Sequence, residues 1–103
     1  MRLAIAALVL FSNLGGTLAL QATSHAPSNG YVPDERTAVA IAEAVLVPIY
    51  GEKTISGEKP FHAKVTGDTW VVNGTLPAGS LGGVATVELS RKDGHIISVT
   101  HSR

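Results

Sequence analysis

Three histidines, His62, His95 and His101, are the side chains of this chain best suited to proton transfer or metal ligation. A zinc site wants paired ligands at short, fixed spacing. The even spacing of His95 and His101 allows them to share a strand face, but no third ligand accompanies them, so the three read as exposed or half-exposed histidines. The carboxylate pairs available for acid–base work are Asp68 with Glu88 and Glu52 with Glu58. Asp68 is better explained as a turn residue, and Glu52 and Glu58 as solvated charges flanking a strand. Ser80 lies in Gly79-Ser80-Leu81, a glycine-rich loop that matches no hydrolase elbow. Gly82-Gly83 is too short for a phosphate-binding loop, and no helix follows it. Asn73-Gly74-Thr75 matches a glycosylation acceptor, but it falls inside a strand. Trp70, the one tryptophan, reads as core filler beside Val72 and Leu76; its alternative role is an interface anchor. No catalytic set, metal site or cofactor motif emerges from these residues.

The elements that must position them begin with a helix over Asp34–Tyr50. Asp34 can cap the orphan N–H groups of the first turn, and Asp34 and Glu35 suit the positive end of the helix dipole. Ala38, Ile41, Ala42, Val45, Leu46 and Ile49 form an apolar stripe at helical spacing. Pro48 predicts a kink or an end in the last turn, and Gly51 permits a left-handed stop. The remainder reads as strands. Lys53–Ser56 is a short, weak one, and Gly57–Pro60 turns the chain. Phe61, Ala63 and Val65 alternate with His62, Lys64 and Thr66. Gly67-Asp68 is a tight turn. Over Thr69–Leu76, Trp70, Val72, Gly74 and Leu76 share one side and Val71 the other. Pro77–Gly83 is a loop. Ala85, Val87 and Leu89 then alternate with Thr86, Glu88 and Ser90. Asp93-Gly94 is a strong hairpin signal, and Ile96–Thr100 closes the sheet. One helix followed by four or five antiparallel strands is an α+β two-layer domain.

The N-terminus adds a location. Met1-Arg2 gives a positive start, Leu3–Phe11 is an unbroken apolar run, and Thr17–Ala22 supplies small residues for cleavage. This is the pattern of a secretory signal, with cleavage expected after Ala22 and Ala19 as the second choice. Residues 23–30 read as a flexible tether and 31–103 as the folded domain. The chain is expected to be soluble in the periplasm. It has no cysteine, so the domain has neither a disulfide nor the residue that a lipoprotein anchor needs. The formal charge is zero, and no basic stripe marks a nucleic-acid surface.

Several segments together resemble the bacterial NTF2-fold immunity proteins, small proteins associated with polymorphic toxin systems. They are Tyr31-Val-Pro-Asp-Glu35, the helix end Val47-Pro-Ile-Tyr-Gly-Glu52, Glu58-Lys-Pro-Phe61, Trp70-Val-Val-Asn-Gly-Thr-Leu-Pro77, Gly82-Gly83 and Asp93-Gly94-His-Ile. The resemblance covers about Tyr31 to His101. It implies a curved antiparallel sheet with a helix packed in its concavity, as in a reduced NTF2-like or cystatin-like fold. It also implies a non-enzymatic role, in which the protein binds and neutralises a cognate protein toxin; the signal sequence would place that role in the periplasm. The chain departs from a full NTF2-like protein in having one substantial helix in place of three, and the family supplies no catalytic residues to carry over.

Inhibition by binding needs a surface. The candidates are the sheet face away from the helix, with His62, Lys64, Val71, Thr86 and Glu88, and the loop Pro77–Gly83, with Ser80 and Leu81. Two other readings stand beside this one, the first because it shares the pattern of a helix followed by strands with a closing Asp-Gly hairpin. That first is a PepSY-like ligand-binding or peptidase-inhibitory module. The other is a small NTF2-like enzyme or carrier, which requires an enclosed pocket holding a His or carboxylate of shifted pKa.

Overall fold

The computed structural model describes residues 22, 23 and 25–102. The predicted signal peptide lies outside the described residues except for Ala22. Helix α1 is Glu35–Tyr50 and a short helix α2 is Glu52–Gly57. Four strands follow: β1 (His62–Thr66), β2 (Thr69–Asn73), β3 (Ala85–Ser90) and β4 (Ile96–His101). They form one antiparallel sheet in the order β1-β2-β3-β4. Helix α1 lies across β1, β2 and β3. This is the α+β domain predicted from the pattern.

Helix α1 starts where its cap requires. Asp34 is in extended backbone, and its Oδ1 accepts from Thr37 N–H at 2.8 Å and from Thr37 Oγ1 at 2.7 Å. Ala38, Ala42 and Leu46 are fully buried, and Val39, Ile41, Val47 and Tyr50 pack against the same core. The stripe therefore runs from Leu46 on to Tyr50, four residues later, and leaves Ile49 55% exposed. Helical spacing alone admits either continuation. Pro48 does not end the helix; α1 runs to Tyr50, and Gly51 closes it by donating its N–H to Val47 O.

Gly51, with φ 91° and ψ 148°, also begins α2, because its carbonyl accepts the Ile55 N–H. The predicted strand at Lys53–Ser56 is thus a turn and a half of helix. That segment has one apolar residue, Ile55, and no second one at alternate spacing to hold a strand face. A single helical turn suffices to bury Ile55.

The sheet register carries the core. Cross-strand partners Ala63, Val72, Val87 and Val99 share the helix side, as do Val65, Trp70 and Leu89. Val72, Ala85, Val87 and Leu89 have no exposed surface. Trp70 is buried, and its indole N–H donates to Val32 O at 2.8 Å; it fills the core and is no surface anchor. Two apolar residues fall short of the predicted pattern. Val65 is 42% exposed at the sheet edge, and Leu76 is 43% exposed because β2 ends at Asn73. Gly67 alone of the β1–β2 turn has positive φ, the signature of a type II′ hairpin. The second hairpin is longer than Asp93-Gly94 suggests. Ser90 N–H donates to His95 O, and Gly94 N–H returns to Ser90 O, so Arg91–Gly94 forms a four-residue loop. A β-bulge then leaves Ile97 unpaired between Glu88–Ser98 and Leu89–Ile96. It bends the strand locally and breaks the parity expected between His95 and His101.

Candidate functional site

The buried polar centre of the domain is Glu58, which sits just past α2 with 5% of its surface exposed. Its Oε1 accepts the Ala85 N–H at 2.7 Å, and its Oε2 receives His101 Nε2 at 2.7 Å. Its own carbonyl accepts the Thr75 N–H at 2.7 Å. One residue thereby ties the end of α2 to the segment after β2, to the start of β3 and to the end of β4. The expectation of a solvated Glu58 is corrected here: a buried carboxylate is tolerated because every oxygen has a partner.

His101 is correspondingly not a surface histidine. Its side chain is 27% exposed, its ring lies 5.1 Å from the Tyr50 ring at a tilt of 53°, and its Nδ1 stands 3.0 Å from Ser102 O. Both ring nitrogens face acceptors, so only the doubly protonated imidazolium donates to both. The hydrogen bond to Glu58 raises the His101 pKa above its ordinary value, against the opposing effect of desolvation. His95, in contrast, is exposed and bonded to Asp93 through both its backbone N–H and Nδ1. Those bonds, the backbone one first, hold the Asp93 carboxyl below its usual value.

Sequence spacing does not reveal this pair, because 43 residues separate its members. One signal was available: His101 is in phase with Val99, which faces the helix, and its partner Ala85 is in phase with Val87 and Leu89. Among the described residues, no group of three or more His, Cys, Asp or Glu side chains is placed to hold a metal ion.

The predicted surface residues fall into two places. Lys64, Val71, Glu88 and Ser98 are successive cross-strand partners, and His62, Asn73, Thr86 and Thr100 form the neighbouring row. His62, Lys64, Val71, Thr86 and Glu88 therefore make one continuous patch on the face away from α1. His62 and Lys64 are exposed, and the other three are half-buried by their neighbours. Thr86 Oγ1 donates to Asn73 Oδ1 within it. Ser80 and Leu81 lie elsewhere. They line a cleft of about 400 Å³ between α2 and the Pro77–Gly83 loop, with Lys53, Thr54, Glu58, Leu76 and Pro77. Leu81 is completely exposed at its rim.

Residues 37–103 match the NTF2 fold immunity protein family. The chain belongs to this family. Two Escherichia coli (strain K12) relatives align with this immunity-family chain over 73 residues, 70% of its length. The uncharacterized protein YbbC is 36% identical, with 60% of that protein covered. The uncharacterized protein YhhH is 30% identical, with 58% covered. The chain thus spans about three fifths of the length of these curated relatives. No solved structure matches it. Among the described residues, no helix is long and apolar enough to cross a membrane.

Proposed function

We propose that this immunity-family protein is exported to the periplasm and acts there by binding and neutralising a cognate protein toxin, without chemistry of its own. The observation that carries the reading is membership of the immunity family over residues 37–103. The positively started apolar run Leu3–Phe11 supports the export step.

The physical organisation agrees with a binding role. An NTF2-like enzyme or carrier needs a hollow between helix and sheet. Here that space is filled by Ala38, Ala42, Leu46, Val72, Val87 and Leu89, all without exposed surface. Glu58 and His101, the groups best placed for acid–base work, commit their polar atoms to Ala85, Ser102 and each other. The open sheet face offers a different resource. Strands about 4.8 Å apart set a cation, an apolar residue and an anion (Lys64, Val71, Glu88) side by side, with His62 and Thr86 in the next row. We assign this face, together with Ser80 and Leu81 at the cleft, to toxin contact; a standard interface covers about 800 Å² per partner.

The test is a pull-down from the periplasmic fraction with the C-terminally tagged chain, followed by co-expression with the captured protein. Recovery of one protein that halts growth alone, and not in the presence of this chain, is the expected result. Absence of any partner, combined with turnover of a small substrate by the purified chain, would overturn the proposal.

A further inference from the structure

The two edges of the sheet are finished differently. Strand β1 is five residues long, carries Lys64 at its centre, and has its Ala63 N–H taken by Glu35 Oε2 from α1 at 3.0 Å. Shortness, charge and a covering contact are devices that stop an edge from pairing with another chain. Among the described residues, strand β4 lacks the last two. Its six residues, Ile96-Ile97-Ser98-Val99-Thr100-His101, include no lysine, acid or proline. The one ionisable side chain, His101, is matched by Glu58. Ser102 N–H points at β3, donating to Val84 O. By alternation, Val99 and His101 turn their backbone N–H and C=O groups outward along the open edge. Ile96 and Ile97, 38% and 50% exposed, flank that row.

We infer that β4 is a pairing edge, and that its occupant is β4 of a second copy of this chain, antiparallel across a two-fold axis, giving a continuous eight-stranded sheet. A two-fold contact places the same residues on both sides, so it is tolerated only where the strand carries no unmatched charge. The neutral Ile-Ile-Ser-Val-Thr run meets that condition, and it offers no charge pattern by which a different partner would be selected. An edge roughly 20 Å long covers less than the area of a standard interface. The dimer is accordingly weak and concentration-dependent. The inference is independent of toxin binding.

Sedimentation equilibrium of the purified chain over a wide span of protein concentration tests it, with hydrogen exchange at the Val99 and His101 amides as the local readout. The weight-average mass is expected to rise toward twice that of the monomer, and both amides to gain protection with concentration. Thr100→Lys, at an exposed position between those two amides, sets like charges against each other at the axis and is expected to hold the chain monomeric. Ile97→Lys puts a charge at the exposed flank of the same row, a device that blocks edge pairing, so the test survives if Thr100→Lys fails to fold. A wild-type monomer at every concentration overturns the inference, as does a dimer that persists in the folded variants. Protection of Val99 and His101 that appears only with an added toxin overturns it too, by assigning the edge to a foreign strand.

Discussion

His101 Nε2 and Glu58 Oε2 stand 2.7 Å apart and join the last strand to the turn that follows α2. The pair makes stability depend on pH with a defined sign. Folding raises the His101 pKa, chiefly through this hydrogen bond. The stabilisation is therefore fully present below the ordinary histidine value of 6.5 and is lost as pH rises through the higher folded value. Melting temperature is expected to fall from pH 6 toward pH 9, and His101→Gln to flatten that slope. Asp34 and Asp93 act in a separate window. Thr37 lowers the first, through its hydroxyl and then its N–H, and His95 lowers the second. Their contribution is lost only as pH falls through those depressed values. A wild-type melting temperature that stays level between pH 6 and pH 9 would refute the imidazolium assignment.

Glu58 is the more costly half of the pair to lose. Glu58→Ala strips a partner from the buried Ala85 N–H and from His101 at once. Breaking a buried pair by removing one member costs about 3–5 kcal/mol, a large share of the stability of a small domain. Glu58→Gln keeps an acceptor for Ala85 and is expected to cost clearly less, while letting the His101 pKa fall back. Urea denaturation monitored by Trp70 fluorescence gives the stabilities, and NMR titration of the His101 ring gives the second effect. Equal losses in the two variants would mean that hydrogen bonding to Ala85 contributes little.

How much of this is visible in the sequence depends on the range of the interaction. The Asp34 cap and the alternation of Ala85, Val87 and Leu89 are set by residues within one turn or one strand, and the fold keeps both. The Lys53–Ser56 segment departs from its predicted strand because one buried residue, Ile55, carries no period. The Ile97 bulge follows from how β3 and β4 meet, and no local signal in Ile96-Ile97-Ser98 announces it. Glu58 looks like any surface acid beside a lysine and a proline. Its burial is decided by Gly74, Ala85 and His101, which only the folded sheet brings to it.

Gly74 illustrates that dependence. A Cβ at this position would lie 2.8 Å from Glu58 Oε1, 3.0 Å from Glu58 Cβ and 3.1 Å from Phe61 Cε2. Gly74→Ala must therefore displace the carboxylate or the ring, and it is expected to destabilise by about 1–3 kcal/mol. Gly57, at the end of α2, has open space within 4 Å of where a Cβ would stand and no positive φ. Gly57→Ala is expected to stabilise by about 0.4–1 kcal/mol, chiefly by restricting the unfolded chain. The two variants, compared by urea denaturation, should move in opposite directions. A neutral Gly74→Ala would show that Glu58 is not held where the hydrogen bonds place it.

Trp70 couples the core to the segment that precedes α1. Trp70→Phe removes the donor to Val32 O, in a position where Val32 is itself 1% exposed. An unsatisfied buried carbonyl costs about 1–3 kcal/mol, and the smaller ring leaves space beside Leu89. Because the variant has no tryptophan, its stability is read by circular dichroism. The amides of Tyr31 and Val32, which bond Lys92 O and Arg91 O, are expected to exchange faster. Unchanged exchange there would mean that those two bonds alone hold the segment.

The separation of the candidate contact residues into two places gives the toxin-binding proposal its sharpest test. Lys64 and Glu88 flank Val71 on the open sheet face, and neither is held in a salt bridge with the other. A Lys64→Ala, Glu88→Ala double variant removes surface charge without touching the core, so its melting temperature should stay within about 2–4 °C of wild type. Leu81→Ser at the cleft rim should be equally silent in stability, since Leu81 is fully exposed. If the sheet face meets the toxin, the double variant weakens binding and Leu81→Ser does not. If the cleft does, the order reverses, and if the interface spans both, each set weakens binding alone. Titration calorimetry with the captured toxin separates these cases, and full affinity in both variants would remove this assignment of the contact surface while leaving family membership intact.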